Sequence, residues 1–413
     1  MDIIEIAKKI ENAGGRLYLV GGAVRDEILG LEPYDKDYCI TGLEKEEFET
    51  LFPNAQIIGK SFPVYLINKM EFALARKERK IGKGYKGFKI ETSKNITIEE
   101  DLKRRDITIN AMAKDVLTGN LVDPFEGRYD IKNRIIRHIS EAFAEDPERA
   151  YRVARFSAKF NFNVDNETIK LMNKLKKELI EITPERVFEE LKKALTTSHP
   201  SNFFIVLKKA EVLDIHFKEI YDLIDATQPL KYHPEGDAFN HSMIVLDKVA
   251  LETQDETVRF AALVHDLGKG ITPKEELPHH YEHDKTGIEL VKKLSKRLKL
   301  PNMWEKKGID TVKYHMLVSR YREMRPYKQA ILFNNISKSA IGLDDLEIIV
   351  NADDMIGREK IEFAKLAKKV NKLMNGNILR NEGILFEKVG KEKFLDELFK
   401  RQAILIKKFE NEE

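Results

Sequence analysis

At 413 residues the chain is too long for one hydrophobic core and has room for roughly two to four domains. Its 71 basic and 69 acidic residues leave a formal net charge of +2, which excludes binding nucleic acid by bulk field and requires any RNA site to be a local patch. The single cysteine, Cys39, excludes a disulfide framework and a cysteine-rich zinc site, and a cytoplasmic protein is the simple reading.

In chain order, residues 1–13 set Ile3, Ile6, Ala7 and Ile10 among charged neighbours, which predicts an amphipathic helix rather than a signal-peptide core. No later stretch is apolar enough to span a membrane. Residues 17–20 read as a strand that delivers the backbone to Gly21 and Gly22, where amide N–H groups can approach a triphosphate closely. Asp35 and Asp37 lie two apart, so on an extended segment both carboxylates share a face. Such hard oxygen ligands suit Mg2+ between the α-phosphate of a nucleotide and an attacking 3′-hydroxyl.

Further short apolar runs at 38–41, 64–67, 71–75 and 133–138 predict an α+β head. Residues 75–88 are basic and glycine-rich and read as a flexible surface loop. From Glu141 the pattern turns to amphipathic helices at 147–160, 166–180 and 184–195. Pro229, Pro234 and Gly236 mark a boundary within 227–237, and the stretch from Glu359 reads as a solvated packing helix. The expected division is a head at 1–140, a helical neck and body at 141–226, a histidine-rich domain at 227–358 and a C-terminal helical segment at 359–413.

The segments Val20-Gly21-Gly22-Ala23-Val24-Arg25-Asp26, Asp35-Lys36-Asp37, Arg104-Arg105-Asp106, Glu145-Asp146-Pro147-Glu148-Arg149 and Thr183-Pro184-Glu185-Arg186 resemble the class II tRNA nucleotidyltransferases. These are the CCA-adding enzymes, with the bacterial poly(A) polymerases as close relatives. The resemblance implies a DNA-polymerase-β-like nucleotidyltransferase head, a small mixed sheet with helices, followed by an all-α neck and body. It makes Asp35 and Asp37 the catalytic metal ligands, and tRNA, CTP and ATP the partners. Beside the glycines, Arg25 and Arg105 read as planar clamps for a triphosphate, against the plainer alternative of surface ion pairs. The resemblance sets Arg105 and Asp106 near the sugar and phosphates, with Asp106 accepting from a ribose 2′-hydroxyl.

Asp146 and Arg149, three apart on a predicted helix, are neighbours on one face, and Arg152 extends the row. An intrahelical ion pair is the plain alternative. Cytosine and adenine, however, both present an amino donor beside a ring-nitrogen acceptor, which an aspartate beside an arginine complements and which guanine and uracil mismatch. The resemblance assigns this segment base selection without a nucleic-acid template. It also implies that a loop at 75–88 helps the switch from C to A addition.

Seven of the ten histidines fall between His233 and His315, which points to metal ligation. His241, then His265-Asp266, then His280, His283 and His315, and finally Asp353-Asp354, resemble the HD phosphohydrolase domain, an all-α fold. That resemblance implies ligands at His241, His265, Asp266 and Asp354, the last preferred over the adjacent Asp353. Mixed nitrogen and oxygen ligands suit Ni2+ or Mn2+ foremost, with Mg2+ or Zn2+ also compatible. Lys269, His280, His283 and His315 are candidates for a phosphate contact or a second site.

Together these resemblances imply a multifunctional bacterial CCA-adding enzyme, monomer or homodimer and free of membrane. Its HD domain carries 2′,3′-cyclic phosphodiesterase, 2′-nucleotidase and phosphatase activities. A poly(A) polymerase, or an RNA-binding protein with a degenerate head, are the alternatives. The HD pattern and the lack of a long basic C-terminal extension argue against the first, and the complete set of head motifs against the second.

Overall fold

A computed structural model of the chain describes residues 1–33, 35–58, 63–80 and 88–410. It divides into two compact units, Met1–Thr183 with Ile205–Val212, and Pro184–Phe204 with Leu213–Glu413. No described helix is long and apolar enough to cross a membrane.

The first unit opens with the helix Ile3–Asn12, capped by Asp2, whose carboxylate accepts the Glu5 N–H at 2.8 Å while Glu5 answers the Asp2 N–H at 2.9 Å. Its apolar stripe buries Ile6, Ala7 and Ile10. The strands that follow are β1 (Arg16–Val20), β2 (Asp37–Thr41), β3 (Gln56–Ile58), β4 (Val64–Ile67), β5 (Met70–Leu74), β6 (Arg76–Lys80), β7 (Phe88–Thr92), β8 (Ala113–Asp115) and β9 (Leu121–Val122). Seven of them form one mixed sheet in the order β3-β4-β5-β2-β1-β8-β9. β1 is antiparallel to β2 and β8, and β2 runs parallel to β5. β1 is buried on both faces from Leu17 to Val20, as its unbroken apolar run requires.

Three expectations are corrected by local geometry. The predicted loop at 75–88 is in part an antiparallel hairpin, in which the backbone of β6 pairs with β7 from Arg76 opposite Thr92 to Lys80 opposite Phe88, while residues 81–87 lie outside the described residues. The run 133–138 is hardly a strand. Asn133 ends the helix Gly127–Asn133, Arg134 turns left-handed at φ 56°, Ile135–Ile136 pair in parallel with Asn163–Val164, and His138 makes a single antiparallel bridge to Ile107. The helix expected over 166–180 is broken at Leu175 into Asn166–Lys174 and Lys176–Leu179.

The second unit is helical. The Arg259 guanidinium, fully buried, donates to the carbonyls of Leu195, Thr197, Ala250 and Thr253 at 2.5–2.8 Å, which ties the helix Pro184–Leu195 to the helices Ala238–Glu252 and Glu256–Val264. Satisfying so many carbonyls with one side chain offsets the desolvation of its charge. The C-terminal stretch is not chiefly a solvated helix. It is several, and Phe363, Ala367, Val370, Phe394, Leu398 and Ile406 join one core with Val245, Leu346 and Ile349.

Candidate active sites

In the head, the register of β1 with β2 sets Val20 opposite Asp37, so the glycine turn after β1 lies beside the start of β2. Gly21 adopts φ 71°, a conformation strained for any side chain, and a Cβ there would stand 2.5 Å from Arg105 Nη1. Glycine is therefore required twice over, by backbone shape and by the approach of the arginine. Asp37 is exposed at the mouth of a cleft of about 180 Å³ lined also by Glu71, Asp101, Arg104 and Arg105.

Asp35 sits in a bend ahead of β2 rather than on the strand, so the shared face expected from an extended segment is not how the pair meets. Among the described residues no side chain hydrogen-bonds or ion-pairs with either carboxylate, which leaves both as open ligands. Partial desolvation raises the Asp37 carboxyl, Arg105 pulls it back, and Asp35 adds a second push upward. Two unneutralised carboxylates beside a guanidinium fit Mg2+, with substrate oxygens and water completing its shell. Sequence reasoning missed Glu71, which β5 holds next to Asp37 by register. Only the strand pairing reveals it.

Arg25 does not line this cleft. It is buried beneath the glycines, paired with Asp26 at 2.7 Å, hydrogen-bonded to Asn110 Oδ1, and stacked 4.6 Å over the Phe160 ring. A guanidinium so committed shapes the site wall and does not serve as the phosphate clamp that sequence suggested. Arg105 has looser contacts, 3.4 Å to the Asn110 carbonyl and 3.4 Å to Asp101, and its Nε is buried with no partner. Its ion pair with Asp101 is the longer of the two that carboxylate makes, the other being to Arg104 at 2.9 Å.

Asp106 also departs from its expected place at a ribose. Its Oδ1 accepts the Ile107 N–H at 2.9 Å and Asn110 Nδ2 at 3.2 Å, and Oδ2 accepts Arg152 Nε at 2.8 Å. Burial opposes its charge, but Arg152 and Asn110 more than compensate and hold the carboxyl down to about 2. Asn110 thus links Asp106 to Arg25, a continuous buried chain from Arg25 to Arg152 whose middle member carried no sequence signal beyond its motif.

Asp146 and Arg149 do not share a helical face. Pro147 disfavours helix at the residue before it, so Asp146 is extended at φ −121° and ψ 100°, and the helix Arg149–Phe160 begins after it. Asp146 Oδ1 accepts the Glu148 N–H at 3.2 Å. Arg149 is fixed by the carbonyls of Arg104 at 2.7 Å and Ala142 at 3.2 Å, and among the described residues no ion pair joins it to Asp146. The intrahelical pair that competed with base reading is therefore absent.

In the second unit, His241 lies within the helix Ala238–Glu252, His265 and Asp266 follow the helix Glu256–Val264, and Asp353 ends the helix Gly342–Asp353. Their ligand atoms converge: His241 Nε2 is 2.8 Å from Asp353 Oδ1, and His265 Nε2 is 3.1 Å from Asp266 Oδ2. Asp354 is not in this cluster. Alternate residues after a helix end diverge, and Asp354 turns to cap its own loop, accepting from Arg358 Nε at 2.9 Å. Asp353 takes its place.

His265 Nδ1 donates to the Ala262 carbonyl at 2.7 Å, which turns the buried Nε2 toward Asp266 and Asp353. Both Asp266 oxygens are unpartnered by hydrogen bonds. Burial disfavours charge on His265, yet Asp266 and Asp353 outweigh it and push that imidazole up to about 10. Burial pushes Asp266 and Asp353 up, but His265 with Lys269 at the first, and His241 with His265 at the second, outweigh it and set both well below the usual carboxylate range. Two imidazole Nε2 atoms and two carboxylates gathered within reach of one another fit a divalent cation of the borderline class, which would displace the protons that the carboxylates otherwise hold on the imidazoles.

Glu235, which sequence reasoning gave no role, accepts from His241 Nδ1 at 2.6 Å and so turns its Nε2 toward the cluster. Lys269 lies 2.5 Å from Asp266 Oδ2 and 2.6 Å from Gln228 Oε1. His280 stays outside the cluster, held by Thr272 at 2.7 Å and the Thr227 carbonyl at 3.0 Å. His283 and His315 face Asp266 from the helices His283–Leu298 and Asn302–Ser319. Burial lowers the His283 imidazole against the pull of Asp266.

The Poly A polymerase head domain matches residues 17–137, the probable RNA and SrmB- binding site of polymerase A matches 161–223, and the HD domain matches 238–334. The multifunctional CCA protein of Mannheimia succiniciproducens is 41% identical over 407 residues, covering 94% of this chain and 96% of its own. That of Haemophilus ducreyi is 38% identical over 411 residues, covering 96% and 99%. The chain belongs to the multifunctional CCA protein family. A CCA-adding enzyme solved with ATP shares the fold at TM-score 0.64 and 21% identity, covering 99% of this chain and 90% of its own. The α+β head followed by helical domains is thus the fold of a multifunctional CCA protein.

The buried Asp106 pair makes a pH prediction for this family member. The folded pKa, about 2, lies below the ordinary 3.8, so its stabilisation is complete above pH 4 and is lost as pH falls from 4 toward 2. Asp106→Asn is expected to lower stability by roughly 2 kcal/mol at neutral pH. Thermal melts of both proteins should converge over that acid window, and a difference that stays constant down to pH 2 would contradict the assignment.

Proposed function

We propose that this protein adds C, C and A to the 3′ end of tRNA from CTP and ATP, with release of pyrophosphate. In this reading residues 1–140 transfer the nucleotide, 141–226 choose its base and hold the tRNA, and 227–358 hydrolyse phosphate esters. The observation that supports it is the cleft where Asp37, Glu71 and Arg105 lie together at the end of the strand that leads into the glycine turn. Family membership supports the substrate.

Asp35 and Asp37 would hold Mg2+, which would supply activation of the acceptor hydroxyl and charge neutralisation on the transferred phosphate. Arg105 holds the triphosphate, and Gly21 and Gly22 let it approach the backbone. Asp146 accepts the amino donor of cytosine or adenine while Arg149, set by its two carbonyls, donates to the adjacent ring nitrogen. Arg152, locked to Asp106, supports that pair from the next helical turn.

For the second unit we read a metal-dependent phosphohydrolase that acts on 2′,3′-cyclic phosphodiesters, 2′-nucleotides and phosphomonoesters. His241, His265, Asp266 and Asp353 would hold a divalent cation, which would supply activation of water and stabilisation of phosphate charge. Lys269 neutralises Asp266 and is placed to meet a phosphate. The chemical logic is repair, since only a free 3′-hydroxyl can be extended.

Asp37→Ala should abolish CMP and AMP incorporation into tRNA while leaving hydrolysis of 2′,3′-cyclic AMP intact, and His265→Ala should do the reverse. Loss of both activities in either folded variant would rule out independent sites. Asp146→Ala should cost about 1–3 kcal/mol of discrimination against GTP and UTP, measured as kcat/KM ratios. Unchanged ratios would remove the base-reading role.

A further inference from the structure

Gln228 stands in the loop that leads into the helix Ala238–Glu252. A short antiparallel contact shapes that loop: Thr227 bridges to Asp237, and the Gln228 N–H donates to the Gly236 carbonyl at 2.9 Å. His280 Nε2 lies 3.0 Å from the Thr227 carbonyl oxygen, which ties the loop to the segment before the helix His283–Leu298. Only 3% of Gln228 is exposed.

Its side chain reaches Lys269, whose Nζ lies 2.6 Å from Gln228 Oε1 and 2.5 Å from Asp266 Oδ2. A lysine ammonium has donors and no acceptor, so the amide presents its oxygen to Lys269 and keeps its nitrogen for something else. Gln228 Nε2 is buried, and among the described residues it has no hydrogen-bond partner. Lys269 is buried as well, on a stem with no room to shift, because a Cβ on the preceding Gly268 would collide with the His283 carbonyl oxygen. Asp266 and Gln228 take two of its three ammonium donors, and the third remains.

A glutamine whose only task was to hold Lys269 would strip an amide N–H of water with nothing in return. An amide N–H and an ammonium N–H side by side instead form a donor pair for a tetrahedral oxyanion. We infer that Gln228 is a substrate-binding residue of the second unit, its Nε2 donating to a non-bridging oxygen of the phosphate ester that Lys269 meets. The inference rests on the phosphohydrolase reading. A neutral donor suits this position, since a second cationic side chain would be repelled both by Lys269 and by the divalent cation that the neighbouring cluster would hold.

The test is calorimetric titration of inorganic phosphate into the full-length, Mn2+-loaded protein carrying Asp37→Asn and Arg105→Ala, which removes the head's own metal and phosphate contacts. In that background Gln228→Met is expected to weaken phosphate binding roughly tenfold, the worth of one hydrogen bond to a charged group. The same factor is expected when Lys269→Met is also present, because the amide donor touches the phosphate itself. No loss of affinity, or a loss that vanishes in the Lys269→Met background, would overturn the contact. If Gln228→Met fails to fold, Gln228→Glu keeps an oxygen toward Lys269 and removes the donor, and unchanged phosphate affinity there would overturn it equally. The underlying reading fails in a different way. Absence of 2′,3′-cyclic AMP hydrolysis by the unsubstituted Mn2+-loaded protein would remove the phosphohydrolase, whereas hydrolysis alongside unchanged phosphate affinity in Gln228→Met would remove only this contact.

Discussion

A carboxylate taken out of water must find donors or positive charge, and each unit is organised around one that has. In the head it is Asp106, whose oxygens gather a backbone N–H, Asn110 and Arg152. Through Asn110 the same chain reaches Arg25 beneath the glycine turn, so that turn and the helix Arg149–Phe160 share one electrostatic anchor. In the second unit it is Asp266, surrounded by imidazoles whose N–H groups are spent elsewhere. The first is satisfied within the protein. The second has its charge met by Lys269 at Oδ2 while Oδ1 faces only imidazole nitrogens, a setting that suits a metal ligand.

The same comparison separates the two chemistries. The head leaves Asp35 and Asp37 exposed and unpaired, a site that substrate must complete. The second unit buries its ligands on helix ends and interiors, a site largely built before substrate arrives. An open site suits a nucleotide that changes between turnovers, C then A. A closed one suits water activation against varied phosphate ends.

Much of this was legible in the sequence, because strong local signals dictated it. The apolar run before Gly21 became β1, and Pro184–Leu195 formed the helix its periodicity predicted. His241, His265 and Asp266 converge as their motif implied. What sequence could not give depends on register and on single backbone turns. Glu71 joins the cleft only because β2 pairs with β5, and Pro147 lifts Asp146 off a helix that the charge spacing seemed to require. Asp353 and Asp354 are chemically alike, and only the end of a helix decides which faces the histidines. Arg25 looks like a phosphate ligand until the partners that hold it are seen.

The central claim is that the head builds a defined three-nucleotide end without a template. The direct measurement is to incubate the protein with tRNA ending just before CCA, supply CTP and ATP separately and together, and sequence the 3′ ends. The account predicts arrest after two C residues with CTP alone and after CCA with both nucleotides. A long A tail would contradict it.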